Sequence, residues 1–323
     1  MVRRFSVVAF ALSGAVVACT VLTDLAKLGG DAGADAAPND AGGDRDGGCG
    51  DLATDPRNCG SCGHDCQGGA CIGGRCAAIV LVPSTGANKA DQGIAVTKDA
   101  IYWASFYGDS IVGVRLNELE GGAPKTFASG EPHPTGLIAD QGQLYWTTYD
   151  DGGVHRAPLD GGAIATYVAN LKNPGCFALD SAKAVYVSQF KDGGVVRANG
   201  NTIVPVIAGH DGPWGVALDG THLYWTDYGA GAVWRSDLDG GSAMSISTNE
   251  VHAGCLALDA THLYWVTAGD SDAAVAGSVR RWPLDGGPVE TFVQLGAELG
   301  IAVDDTSVYF SNTGGTQIYR IAK

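Results

Sequence analysis

The chemistry-bearing residues of this chain fall into two sets. The first is scattered: His133, Asn173, Asp211, Trp214, His252 and Glu298. Each lies just ahead of a short apolar segment opening on glycine or cysteine, at Gly136, Cys176, Gly215, Cys255 or Gly300. His133, Asn173 and His252 each precede their landmark by three residues, which predicts equivalent heights in a repeated structure. Imidazoles, carboxylates, an amide and an indole brought to one concave place are what a polar ligand needs. His133, His252 and Asn173 with a carboxylate also carry donors for a divalent metal. No HxH, HExxH or EF-hand spacing accompanies them, and no cofactor is expected. No GxSxG and no Gly-rich phosphate loop ahead of a helix is present, so no catalytic residue is assigned.

The second set is cysteine. Cys49, Cys59, Cys62, Cys66, Cys71 and Cys76 lie within 28 residues, too few to bury a core. Three disulfides would close such a module, and 15 connectivities are open. The run NCGSCGHDC holds Cys59-x-x-Cys62 and His64, a zinc-like spacing; an even count in an exported chain favours disulfides. Cys176 and Cys255 stand where other repeats have glycine, two units apart. They are expected to be buried, unpaired thiols, too far apart across the molecule for a bridge.

The elements that position these residues repeat. Tyr102, Tyr145, Tyr186, Tyr224, Tyr264 and Tyr309 are 43, 41, 38, 40 and 45 residues apart. Arg115, Arg156, Arg197, Arg235, Arg281 and Arg320 each follow their tyrosine by 11 to 17 residues. Short apolar runs and glycine turns at a period near 40 predict repeated four-stranded sheets, and six of them close into an all-β, six-bladed β-propeller. Asp-Gly-Gly turns recur at Asp160, Asp239 and Asp285, with Glu120-Gly-Gly in the first unit. The last unit has three strands, and Ala77 to Ser84 is a spare apolar segment that should complete it. Residues that keep the repeat are expected to pack or pair blades; residues that break it are candidates for binding. The loops into the inner strands and those between second and third strands should share the channel mouth. The latter add Phe106, Tyr107, Asp109, Tyr149, Asp150, Tyr228 and Asp270.

Tyr224-Trp225-Thr226-Asp227, then Val233-Trp234-Arg235 and Leu238-Asp239-Gly240, resembles the YWTD propeller of the LDL-receptor family. The other units read YWAS, YWTT, YVSQ, YWVT and YFSN, so the aspartate occurs once. The resemblance implies the fold and a protein-binding scaffold; related six-bladed rings include sugar-lactone hydrolases, and lyases of the virginiamycin type have a similar repeat in seven units. The cysteine module resembles the small NCGxCGxxC modules of myxobacterial surface lipoproteins.

The amino end has Arg3 and Arg4, an apolar run from Phe5 to Val17, and Val16-Val17-Ala18-Cys19. This resembles a lipobox, with cleavage before Cys19 and lipid on its thiol. Thr20 in place of aspartate implies outer-membrane delivery, facing the periplasm or the cell surface. The expected organisation is a signal peptide over 1–18, a lipidated Gly/Ala/Asp-rich tether over 19–48, the cysteine module over 49–76 and the propeller over 77–323. Net charge is −15, and loss of Arg3 and Arg4 takes it to about −17, which argues against nucleic acid. The leading expectation is an envelope-anchored, monomeric scaffold binding a protein, peptide or glycan. A lyase- or lactonase-type propeller enzyme and a passive envelope component are the alternatives.

Overall fold

A computed structural model describes residues 49–323 apart from 87, 120–121, 201, 271–274, 296 and 313. The expected signal peptide, the lipid site Cys19, the tether, and Glu120 and Gly121 of the first turn lie outside the described residues.

Six four-stranded antiparallel sheets follow one another. The fourth blade runs Pro213–Leu218, His222–Asp227, Ala232–Asp237 and Met244–Thr248, from the axis outward. Ile79–Val82 is the outer strand of the last blade: it pairs with Ile318–Ala322, Val82 opposite Ile318. The ring is therefore closed by strands from both ends of the propeller sequence, as the spare segment predicts, and its last sheet has no open edge there.

Burial falls from second strand to rim. The residue after each landmark tyrosine (Trp103, Trp146, Val187, Trp225, Trp265, Phe310) is fully buried, because the second strand has a neighbouring sheet on both faces. Each such side chain contributes about 1.5–3 kcal/mol by leaving water. The outer strand Met244–Thr248 has no fully buried residue. In blades two to six the landmark tyrosine lies directly opposite its arginine, as Tyr224 opposite Arg235. In the first blade Gly113 faces Tyr102, and Arg115 lies two residues on, opposite Ala100.

Because the arginines keep the repeat, they are expected to pair blades. Their partners vary instead. Arg197 binds Asp180 and Arg281 binds Glu290 within their own blades; Arg235 lies 5.8 Å from the Trp282 ring in the next blade. Arg320 donates to the carbonyl of Gln67 in the cysteine module.

Near the axis the inner strands approach closely. A Cβ on Gly215 would lie 2.5 Å from the Gly254 oxygen, and one on Gly300 would lie 2.1 Å from the Gln92 oxygen. Hydroxyls clasp the blades at this level. Thr226 Oγ1 accepts from Gly215 N–H and donates to Gly254 O, at 2.7 and 2.8 Å; Thr147 does the same between Gly136 and Gly175.

The same crowding overturns the expectation for Cys176 and Cys255. They form a disulfide, with Cα atoms 5.9 Å apart. The two strands are a third of a turn apart, but they sit so close to the axis that a third of a turn is a short distance. The blade assignment stands, and only the radius was misjudged.

The module is held by Cys49–Cys62, Cys59–Cys71 and Cys66–Cys76, with Cα separations of 5.2–5.5 Å. Cys59 and Cys62 of the zinc-like spacing belong to different bridges, and His64 Nδ1 lies 2.5 Å from the Cys59 carbonyl. Two of these bridges pack on Ala322 of the last blade. Ser307 donates to the Gln67 side chain, which donates to the Thr306 carbonyl. The module therefore docks on the face where inner strands end, opposite the loops that lead into them.

Candidate functional site: the channel mouth

The expected equivalence of His133, Asn173 and His252 is present in the backbone. All three have positive φ, at 50°, 47° and 51°, and Gly212 at 64° takes the same place in the fourth blade. Their carbonyls accept Tyr149, Phe190, Ala268 and Tyr228 N–H groups respectively, at 3.0–3.3 Å. The left-handed turn presses each inner-strand loop onto the loop between second and third strands, so the two kinds of loop share one face. Glycine serves best at such φ, and Asn and His are among the residues that tolerate it.

The side chains then diverge. His133 stacks on Phe106 with centroids 4.3 Å apart and reaches Asp150 Oδ2 at 2.7 Å. His252 stacks on Tyr228 at 4.7 Å and donates from Nδ1 to the Gly269 carbonyl. Asn173 donates to the Tyr149 carbonyl. Asp211 is exposed, and its carbonyl accepts Gly229 N–H. Glu298 falls on the last inner strand, Ala297–Val303, and its side chain lies outside the described residues. Asp91 and Asp109 accept the N–H groups of Phe106 and His133.

His133 and His252 come from blades two and five, which oppose each other in a ring of six. Aromatic rings fill the space between. Phe106 meets Tyr149 at 5.9 Å, Tyr149 meets Trp214 at 6.4 Å, and Trp214 meets Phe190 and Tyr228 at 5.5 and 6.4 Å. The two imidazoles thus lie at opposite ends of an aromatic row. Among the described residues no three metal-ligand atoms converge at the mouth; the one cluster close enough is Cys59, Cys66 and Cys76, whose sulfurs are bridged.

Phe106, Tyr149, Phe190 and Tyr228 occupy one position, four residues after the landmark tyrosine, in blades one to four; Ala268 and residue 313 replace them in blades five and six. Sequence reasoning found three of these rings and missed Phe190. The fixed offset from the tyrosine was the available signal.

Trp214 is deeper. It is 7% exposed and packs with Cys176 and Cys255. Below, the inner strands line a cavity of about 380 Å³, from Gly93 and Gly136 to Val96 and Val303. The Cys176–Cys255 bridge lies at its mouth end, and the 2.6 Å Lys183–Asp140 ion pair lies at the other.

Several mouth-side polar groups are structural. Glu131, nearly buried, accepts Trp146 Nε1–H at 2.7 Å and His155 Nδ1 at 2.5 Å; that bond pushes the His155 pKa up. The YWTD aspartate, Asp227, is buried 2.6 Å from His210, and burial pushes its carboxyl up. In blade five Glu250 accepts from Trp265 and lies 3.5 Å from Arg280.

No protein-family model matches the chain. Solved structures resemble it as folds. The nidogen of a nidogen/laminin complex shares 20% identity at TM-score 0.53, over 64% of this chain and 82% of that one. Virginiamycin B lyase from Staphylococcus aureus shares 14% at TM-score 0.56, over 76% and 98%. A gluconolactonase from Xanthomonas campestris shares 14% at TM-score 0.61, over 76% and 89%. At such identities the likeness establishes the architecture and no activity. The chain is an all-β six-bladed propeller carrying a disulfide-rich module at its amino-terminal side.

Proposed function

We propose that this protein is an envelope lipoprotein, anchored through Cys19, whose propeller is a binding scaffold with its site at the channel mouth. One observation carries the reading. The mouth is where the repeat is broken: aromatic rings hold one loop position in four consecutive blades and not in the other two. Packing alone asks the same of every blade, so a feature confined to one arc points to a partner on that side. The cysteine module docks on the opposite face, so the protein would be tethered from there and offer its mouth to a protein, peptide or glycan. Acylation is checked by mass spectrometry of membrane-extracted protein; an unmodified amino terminus elsewhere removes the anchor from the proposal.

The binding test is the double variant His133→Ala/His252→Ala. Each imidazole stacks on a rim ring from above the core, so affinity for a captured ligand should fall at least about tenfold, 1.4 kcal/mol. The thermal midpoint should move little. Unchanged affinity would move the site away from the mouth.

A further inference from the structure

The aromatic arc at the mouth already carries bases of the chain itself. His133 stacks on Phe106, His252 stacks on Tyr228, and Lys191 Nζ lies 5.6 Å from the centre of the Tyr149 ring. Ring faces attract cations, and Lys191 uses that attraction. Tyr107 carries no such base. It is 84% exposed, more than any other large apolar side chain among the described residues, and meets Phe106 edge-on at 5.2 Å.

Carboxylates flank the arc at both ends. Asp109 Oδ1 accepts His133 N–H, and Asp150 Oδ2 meets His133 Nδ1, so both lie beside the end formed by Phe106 and Tyr107. Both side chains are exposed, and each keeps a second carboxylate oxygen without a hydrogen bond among the described residues. At the other end Asp211 is exposed, and its carboxylate lies so close over Gly229 that a Cβ there would meet it at 2.6 Å. Gly229 follows Tyr228, so this carboxylate flanks the last ring of the row. None of the three is paired with a lysine or arginine among the described residues. The lysines of the intervening third blade are engaged elsewhere: Lys172 is held by Asp192 at 2.8 Å, and Lys191 lies over Tyr149.

We infer that the mouth takes a cationic stretch of a protein partner, with one arginine or lysine over Tyr107 within reach of Asp109 and Asp150, and a second at Asp211. Arginine suits the first place best, since its planar fork both stacks on a ring and bonds carboxylates. The centroid steps from Phe106 through Tyr149 and Trp214 to Tyr228 are 5.9, 6.4 and 6.4 Å, so the two ends are at most about 19 Å apart. An extended chain covers that in about six residues, so the two cations stand no more than about five positions apart. Apolar residues between them would lie over the half-buried rings of Tyr149 and Phe190. The net charge of −15 adds long-range attraction for such a partner. An acidic stretch is repelled at both ends, and a neutral glycan makes no use of the carboxylates. The inference rests on the proposal that the mouth is the binding site, and names the partner's chemistry.

The test titrates the full mature protein by calorimetry, at low and high salt, with end-capped hexapeptides of apolar middle. One carries arginine at its first and last positions, one glutamine and one glutamate; neutral hexasaccharides form a separate arm. The arginine peptide should bind at least about tenfold more tightly than the glutamine peptide, and its affinity should fall as salt rises. Asp109→Asn/Asp211→Asn should weaken it about fivefold and flatten the salt dependence without lowering the thermal midpoint. Tyr107→Ala, at a side chain that supports no packing, should cost about threefold. Equal affinity for the arginine and glutamine peptides, or arginine binding indifferent to these variants, overturns the inference. Tighter binding of the glutamine or glutamate peptide or of a hexasaccharide, lost in His133→Ala/His252→Ala, overturns it and leaves the mouth as the site. No binding by any probe overturns both.

Discussion

The two faces of the propeller are built by different rules. On the module face, the turn after the inner strand uses a single device in three blades and half of it in two more. Asp219 Oδ1 accepts the N–H groups of Thr221 and His222 and the Thr221 hydroxyl, while Oδ2 accepts Tyr224 O–H at 2.6 Å. Asp259 with Tyr264 and Asp304 with Tyr309 repeat it; Asp180 keeps the backbone half, and Thr97 supplies it in the first blade. On the mouth face the blades differ: rings in four, and imidazoles stacked on those rings in two. A turn device shared by five of the six blades fixes the ring. A face that varies from blade to blade, on a ring already fixed, is free to recognise something.

The largest effect should come from breaking what both faces depend on. Deleting residues 77–84 strips the outer strand from the last blade and leaves Ile318–Ala322 as an open edge. The expected result is aggregation and loss of cooperative unfolding, read by light scattering and circular dichroism. A soluble, cooperative monomer would show that closure is dispensable.

The bridge between the mouth and the cavity comes next. Cys176–Cys255 spans 79 residues, and removing a crosslink of that length costs about 4 kcal/mol on chain-entropy grounds. Cys176→Ser/Cys255→Ser should show that loss in urea unfolding. Thiol titration of the denatured, unreduced propeller should find neither cysteine free; two thiols would refute the bridge.

A smaller contrast separates the faces directly. Asp219→Asn, at a saturated turn, should cost about 2 kcal/mol. Asp211→Asn, exposed at the mouth, should stay within about 0.5 kcal/mol. Equal effects would erase the distinction. Burial alone would raise the Asp219, Asp259 and Asp304 carboxyls. The hydrogen bonds they accept outweigh it and hold all three below the ordinary 3.8. Their contribution is therefore present above about pH 4 and lost as pH falls through the depressed folded values. Burial, then the Asp304 bond, raises Tyr309 from 10.0 to about 12, so its share is present below about pH 10 and lost as pH rises toward 12. Urea midpoints across both ranges check the signs.

Much of this architecture was legible in the sequence because it is local. Period-40 repetition, the Tyr–Arg spacing of 11 residues in four units, and a spare strand ahead of a three-stranded last unit are properties of short segments. Strand pairing by neighbouring hairpins turns them into six blades and a closure without further information. The backbone equivalence of His133, Asn173 and His252 was legible for the same reason. What the tertiary structure alone decided is radial or long-range. Sequence position gives the angle of a residue around the ring and not its distance from the axis, so Cys176 and Cys255 could be placed two blades apart but not brought together. Which of the module's connectivities forms, which rings meet Trp214, and which polar atoms are left without partners depend on packing between segments whose separation in sequence carries no such information.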